Sequence, residues 1–153
     1  MAYKFPYDYE EQVKYEAPKL KTNRKMWKVI LFSILTLGFY GVIFFSSFAS
    51  ELDLIYPKRD GTKTMDYLIA YIVSFFTCNL VVAAWQHSVS LRIEEALIKR
   101  RITYNFGTTD FWAWYVLGSV ILIGPAIYIH KMCTAMNLLC ESYNENPDID
   151  SFK

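Results

Sequence analysis

Three long stretches without a single charged side chain constrain this chain more than anything else: Val29 to Ala49, Tyr67 to Leu91 and Phe111 to His130. Each reaches the roughly 20 residues a helix needs to cross a hydrocarbon core of about 30 Å. The rest of the composition agrees, since 54% hydrophobic and 18% aromatic residues in 153 is too apolar for an ordinary soluble domain. The sequence therefore predicts an all-α integral membrane protein. The formal net charge of +1 is uninformative, because nearly all charge sits in the tails and connectors.

The three stretches are related to one another. Ser33, Thr36 and Asp53 recur about 41 positions later as Ser74, Thr77 and Glu94. Leu52-Asp53 lines up with Met136-Asn137, and Phe44 with Trp85 and Tyr128. The expectation is three tandem helix-break-helix repeats at about 25–56, 66–98 and 110–141, within a membrane domain spanning 25–143. A polar, mobile arm (1–24) precedes it and an acidic tail (144–153) follows. The breaks are Gly38 and Gly41, then Asn79, then Gly124-Pro125, residues that free the backbone, tolerate the left-handed region or remove a donor.

The second halves carry apolar residues at three-four spacing: Phe45, Phe48, Leu52 and Ile55; Val82, Trp85, Val89, Ile93 and Leu97; Ile129, Met132, Met136 and Leu139. These amphipathic halves leave the hydrocarbon, lying along an interface or packing on one another. Thr109 or Asp110 is placed to cap the third helix.

Two topologies follow. With one bent span per repeat, the N-terminal arm and Lys99-Arg100-Arg101 both fall on the cytoplasmic side. With each break a hairpin turn, all three basic flanks fall there. Halves of about 13 residues reach only about 20 Å, so a hairpin turn would lie within the bilayer and need protein around it. That length argument favours three bent spans, a multi-pass protein with a cytoplasmic N-terminus.

Ile34-Leu35-Thr36-Leu37-Gly38-Phe39-Tyr40-Gly41, then Phe44 and Glu51-Leu52-Asp53, resembles the Thr-x-Gly-x-Tyr-Gly, Trp, Asp-Leu-Asn pattern of an uncharacterised bacterial membrane-protein family, domain of unknown function 4234. Thr77-Cys78-Asn79, Trp85 and Arg92-Ile93-Glu94-Glu95 look like its later repeat. The first unit departs from the pattern at Phe44, where the family has Trp, and the second lacks its Gly and Tyr. The resemblance implies a bacterial cytoplasmic (inner) membrane location and repeated helical segments, with no known activity or cofactor.

The polar residues of the second halves form a stripe: Ser46, Ser50 and Asp53; His87, Ser90 and Glu94; His130, Thr134 and Asn137. Facing a common axis they would line a cavity or an oligomeric pore; lying outside, they form a solvated face, the favoured reading. His87 and His130, with Cys133, are the only candidates for a haem or metal site, and their spacing matches no ligand motif, so no cofactor or metal is expected. Cys78, Cys133 and Cys140 lack framework spacing and read as packing residues. Trp27, Tyr56, Tyr67, Trp85, Phe111, Trp112, Trp114 and Tyr115 read as an interfacial aromatic belt.

No nucleophile elbow, phosphate loop or zinc-protease helix is present, and Ser46, Ser47 and Ser88 have no evident base. The basic runs abut membrane segments, which suits anionic headgroups and not nucleic acid. The expected function is a non-enzymatic membrane module that self-associates or holds a partner membrane protein. Gly38, Gly41, Ala83, Ala84, Gly118 and Ser119 would let helices approach closely. The alternatives are an oligomeric channel or carrier using the stripe and, more weakly, a haem or metal binder.

Overall fold

The computed structural model describes residues 18–58 and 63–147. Most of the N-terminal arm, the middle of the first connector and the end of the acidic tail lie outside the described residues. The chain is all-α, with helices α1 (Met26–Leu35), α2 (Phe39–Ile55), α3 (Tyr67–Phe76), α4 (Leu80–Lys99), α5 (Thr108–Asp110) and α6 (Gly124–Glu145). A π-helical stretch Phe111–Val116 and a 3-10 stretch Leu117–Ile121 continue α5 towards α6.

The chain reverses at Gly38 and Asn79 as expected, whereas Gly41 lies inside α2 and Gly124-Pro125 opens α6, so the third turn is at Leu122, just ahead of them. Leu37 and Gly38 adopt φ of 51° and 95°, Cys78 and Asn79 adopt 47° and 65°, and Leu122 adopts 63°. In the first two turns the amide of the second left-handed residue reaches back to the last helical turn, Gly38 N to Ser33 O at 2.6 Å and Asn79 N to Ser74 O at 3.0 Å. The repeated threonines add side-chain bonds at these turns. Thr36 donates to Phe32 O at 2.7 Å and accepts from Tyr40 N at 2.9 Å, while Thr77 donates to Val73 O at 3.2 Å.

Beyond each turn the second helix runs back along the first. Ser74 Oγ accepts from Val82 N at 2.8 Å, and Trp85 Nε1 donates to Met65 O at 2.8 Å. Ser33 lies against Gly41, and Gly118 against Gly124 so closely that a Cβ on either would fall on the other's backbone. Each repeat is thus a helical hairpin, which corrects the expectation of bent single spans. The length argument assumed halves of equal size, whereas α1 and α3 have 10 residues each and α2 and α4 extend well past them. Among the described residues no helix is long and apolar enough to cross a membrane.

The second helices meet one another in the middle. Phe48, Val89 and Met132 hold equivalent repeat positions, as do Leu52, Ile93 and Met136, and Ile55, Ala96 and Leu139; all are buried in one core. Around this inner bundle, α1 lies against α2 and α6, α3 against α2 and α4, and the α5 segment against α4 and α6. The result is a closed ring of three hairpins with pseudo-threefold order. The amphipathic halves therefore bury their apolar faces on each other.

Capping differs in detail from expectation. Asp66 caps α3 by accepting from Leu68 N at 3.0 Å. Neither Thr109 nor Asp110 is the cap of the third unit: the helix begins one residue earlier, and Asp110 reaches back to Gly107 N at 3.2 Å while pairing with Lys131 of α6.

Candidate functional site

The polar stripe does not face a common axis. The position that Asp53, Glu94 and Asn137 share in the three repeats instead fastens each hairpin to the next. Asp53 accepts from Thr64 N at 2.7 Å and Thr64 Oγ1 at 2.6 Å, just ahead of α3. Glu94 accepts from Thr108 N at 3.0 Å and Thr108 Oγ1 at 3.3 Å, at the start of α5. The approach needs Gly107, where a Cβ would collide with the Glu94 carboxylate. Asn137 closes the circle, accepting from Arg24 N at 3.1 Å and donating to Arg24 O at 3.0 Å, just ahead of α1.

Two arginines reinforce these latches. Arg92 pairs with Asp53 at 2.9 Å, donates to Tyr56 O at 2.5 Å and bonds Thr64, while Arg24 pairs with Glu51 and comes within 3.4 Å of Cys140 Sγ. Leu20 N and Asn144 Oδ1 add a contact at 2.8 Å. All of these lie at one end of the ring, the base, where the three second helices finish and the three first helices begin.

Removing a latch leaves part-buried donors without partners, at about 1 kcal/mol each. Asp53→Ala also strands Arg92, a buried charge, and breaking such a pair costs about 3–5 kcal/mol. All three alanine variants, at Asp53, Glu94 and Asn137, are expected to lower the unfolding midpoint in detergent, with Asp53→Ala lowering it most. Equal midpoints for all three and the parent would refute the latch.

The remaining stripe residues scatter. Ser46 and Ser50 face outward beside Asp53, and Ser50 donates to Ser46 O at 3.1 Å. Ser90 is fully buried and shares a hydrogen bond of 2.7 Å with Tyr128 OH, which also meets Gln86 Oε1 at 3.1 Å. His87 packs edge-on to Phe111 and Trp112, with ring centroids 5.4 Å and 6.0 Å away. His130 is exposed, and Thr134 only bonds back to its carbonyl at 3.0 Å. Cys133 is buried, which pushes its thiol up to about 11 and keeps it protonated at neutral pH. Among the described residues no group of three or more His, Cys, Asp or Glu could hold a metal.

Opposite the base lie the three turns, and they are apolar and bare. Leu37 is 89% exposed, Phe75 88% and Leu122 87%, accompanied by Ile34, Leu35 and Phe39, by Phe76 and Leu80, and by Val120, Ile121 and Ile123. Because the hairpins stand side by side with their bases latched together, all three tips point the same way. The exposed apolar surface continues down the outer helices through Leu31, Leu68, Ile69, Ile72 and Leu117. A contiguous apolar region of this extent is rare on a soluble monomer and marks an interaction surface.

The expected aromatic belt divides into two populations. Trp27, Trp112 and Trp114 are exposed near the start of the outer helices, the Lys28 ammonium lying 5.7 Å from the Trp27 ring centroid. Tyr67, Trp85 and Phe111 are core residues instead, as with Trp85, which packs 4.8 Å from Tyr67 and 6.1 Å from Phe45.

Beside this rim, at base level, a cleft of about 480 Å³ opens between the outer face of α2 and the start of α3. Ser46, Ser50, Asp53, Lys58, Lys63, Thr64 and Asp66 supply its polar lining, and Ala49, Leu54 and Pro57 its apolar floor. Ser46 donates to Asp66 at 2.5 Å; that bond and the Leu68 amide hold the Asp66 carboxyl below its ordinary range.

Among comparisons with known proteins, residues 24–95 match the family model described as Domain of unknown function (DUF4234). The match covers the first hairpin and most of the second. No curated protein and no solved structure matches the chain.

Proposed function

We propose that this chain, whose residues 24–95 belong to the family of unknown function DUF4234, is a monotopic module of the bacterial cytoplasmic membrane. Its three hairpins dip into one leaflet from the cytoplasmic face and leave the latched base at the surface. The observation that carries this reading is the exposure of three apolar tips on hairpins latched together at the opposite end. A first helix of 10 residues is about 15 Å long, half of a hydrocarbon core of about 30 Å, so the tips reach about the midplane.

The turns are built for that depth. Backbone polar groups in hydrocarbon must be satisfied internally, and the Thr36 and Thr77 hydroxyls, with the amides of Gly38 and Asn79, bond within their own hairpins. Trp27 and Trp112 sit where headgroups would lie, with the amines of Lys25, Lys28 and Lys63 beyond.

The module works without chemistry of its own, by self-association or by holding a partner protein at the membrane. The axis of the ring is filled by Leu52, Ile93 and Met136, which speaks against a conducting path through one chain.

The native cysteines provide the test. Cys78 lies exposed in the second tip, whereas Cys133 and Cys140 are buried. In membrane vesicles a membrane-impermeant maleimide is expected to leave Cys78 untouched from either side, and to modify it once sodium dodecyl sulfate has unfolded the chain and brought the thiol into water, where the thiolate forms. Rapid modification by the reagent in intact vesicles would refute insertion of the tip.

A further inference from the structure

We propose that the cleft between α2 and α3 binds a zwitterionic phospholipid headgroup of the phosphoethanolamine type, its phosphate toward Lys58 and Lys63 and its ammonium toward Asp66. The inference rests on the monotopic reading, which puts the cleft at headgroup height with the apolar α3 surface below it for acyl chains. The volume of about 480 Å³ lies within the range of ligand pockets.

Charge decides the class of ligand. Of the two carboxylates lining the cleft, Asp53 is engaged by Arg92 at 2.9 Å and by Thr64 through both oxygens. Asp66 receives Ser46 and Leu68 on the same oxygen, Oδ1, so Oδ2 keeps its lone pairs for a further donor, and the carboxyl stays ionised. Among the described residues the cleft thus offers two ammonium groups to an anion and one carboxylate oxygen to a cation, the pattern of a phosphate ester carrying an amine. The second hairpin lacks a counterpart, because His87, which replaces Ser46 there, is covered by Phe111 and Trp112.

The test uses the full chain in a maltoside detergent and reads the unfolding midpoint. Phosphatidylethanolamine at about a hundredfold excess over its Kd is expected to raise it by about 5 °C or more. Phosphatidylglycerol should raise it less, and diacylglycerol not at all. Lys58→Ala with Lys63→Ala is expected to abolish the shift. Asp66→Asn, which retains the cap of α3, should lose the preference for ethanolamine over glycerol.

An unchanged shift in the double lysine variant, or an equal one from diacylglycerol, would overturn the site. Soluble phosphoethanolamine matching the lipid at equal concentration would overturn a lipid as its occupant. Flotation with liposomes separates this from the parent reading. If the parent chain floats but phosphatidylethanolamine does not raise its midpoint, the headgroup site falls and insertion stands; a parent chain that does not float would strike insertion itself.

Discussion

Aspartate at Leu37, Phe75 and Val120 together is expected to release the protein from membranes while leaving its helical content unchanged. None of the three side chains supports the core, since each is among the most exposed in the molecule. Each apolar group gains about 1.5–3 kcal/mol on leaving water. A carboxylate near the middle of the hydrocarbon costs about 2.5 kcal/mol or more instead. Three such exchanges outweigh a hundredfold change in partitioning, which needs only about 2.7 kcal/mol. Liposome flotation and circular dichroism measure the two halves of the claim. A triple variant that still floats with the vesicles would contradict it, and one that unfolds in detergent would show that the tips carry structure as well.

Gly124→Leu is expected to disrupt the third hairpin and, through it, the ring. The position is not free for a side chain, because a Cβ there would land on the Gly118 backbone and on the Trp114 carbonyl. Overpacking against movable side chains costs about 1–3 kcal/mol; backbone cannot yield so easily, so the cost exceeds about 3 kcal/mol. Total stabilities of about 5–15 kcal/mol leave little after such a loss. Separating α6 from the α5 segment also strains Asn137, which holds Arg24 and hence the start of α1. The unfolding midpoint in detergent should fall by about 6 °C or more, and a fall under about 2 °C would show that the hairpin has another way to close. Gly118→Leu should behave alike, since the same close approach is seen from the other side.

Most of the architecture was legible in periodicity and repetition. The offset of about 41 residues brings Asp53 and Glu94 to matching latches, and the three-four spacing of Phe48, Leu52 and Ile55 is the core face of α2. Direction of travel after each break was not legible, because a glycine in a membrane segment is compatible with a bend or a reversal. The discriminating detail is a pair of residues per turn, Leu37 with Gly38 and Cys78 with Asn79, both left-handed, and neither Leu nor Cys advertises that conformation.

The stripe misled for a related reason. Helical spacing correctly put Ser46, Ser50 and Asp53 on one side of α2, yet the same spacing cannot say whether a face meets solvent, a neighbouring connector or the axis. Partners distant in sequence decided it: Thr64 for Asp53, Thr108 for Glu94 and Arg24 for Asn137. Arg24 escaped notice within a basic flank and Arg92 within the family-like pattern, whereas their pairing with Glu51 and Asp53 depends on the ring being closed. Gln86 and Tyr128 met on adjacent helices only once the hairpins had been assembled.

Sidedness mapping is the most direct measurement of the central claim. Single cysteines at Lys25, Lys63, Thr103 and Asn144, in a chain lacking its native cysteines, report the base; single cysteines at Leu37, Phe75 and Val120 report the tips. With membrane-impermeant maleimide applied to vesicles of each orientation, all four base reporters are expected to label from the cytoplasmic side only, and the three tip reporters from neither. Labelling of Lys63 and Asn144 from the opposite side to Lys25 and Thr103 would mean that each unit crosses the bilayer, and would contradict the account.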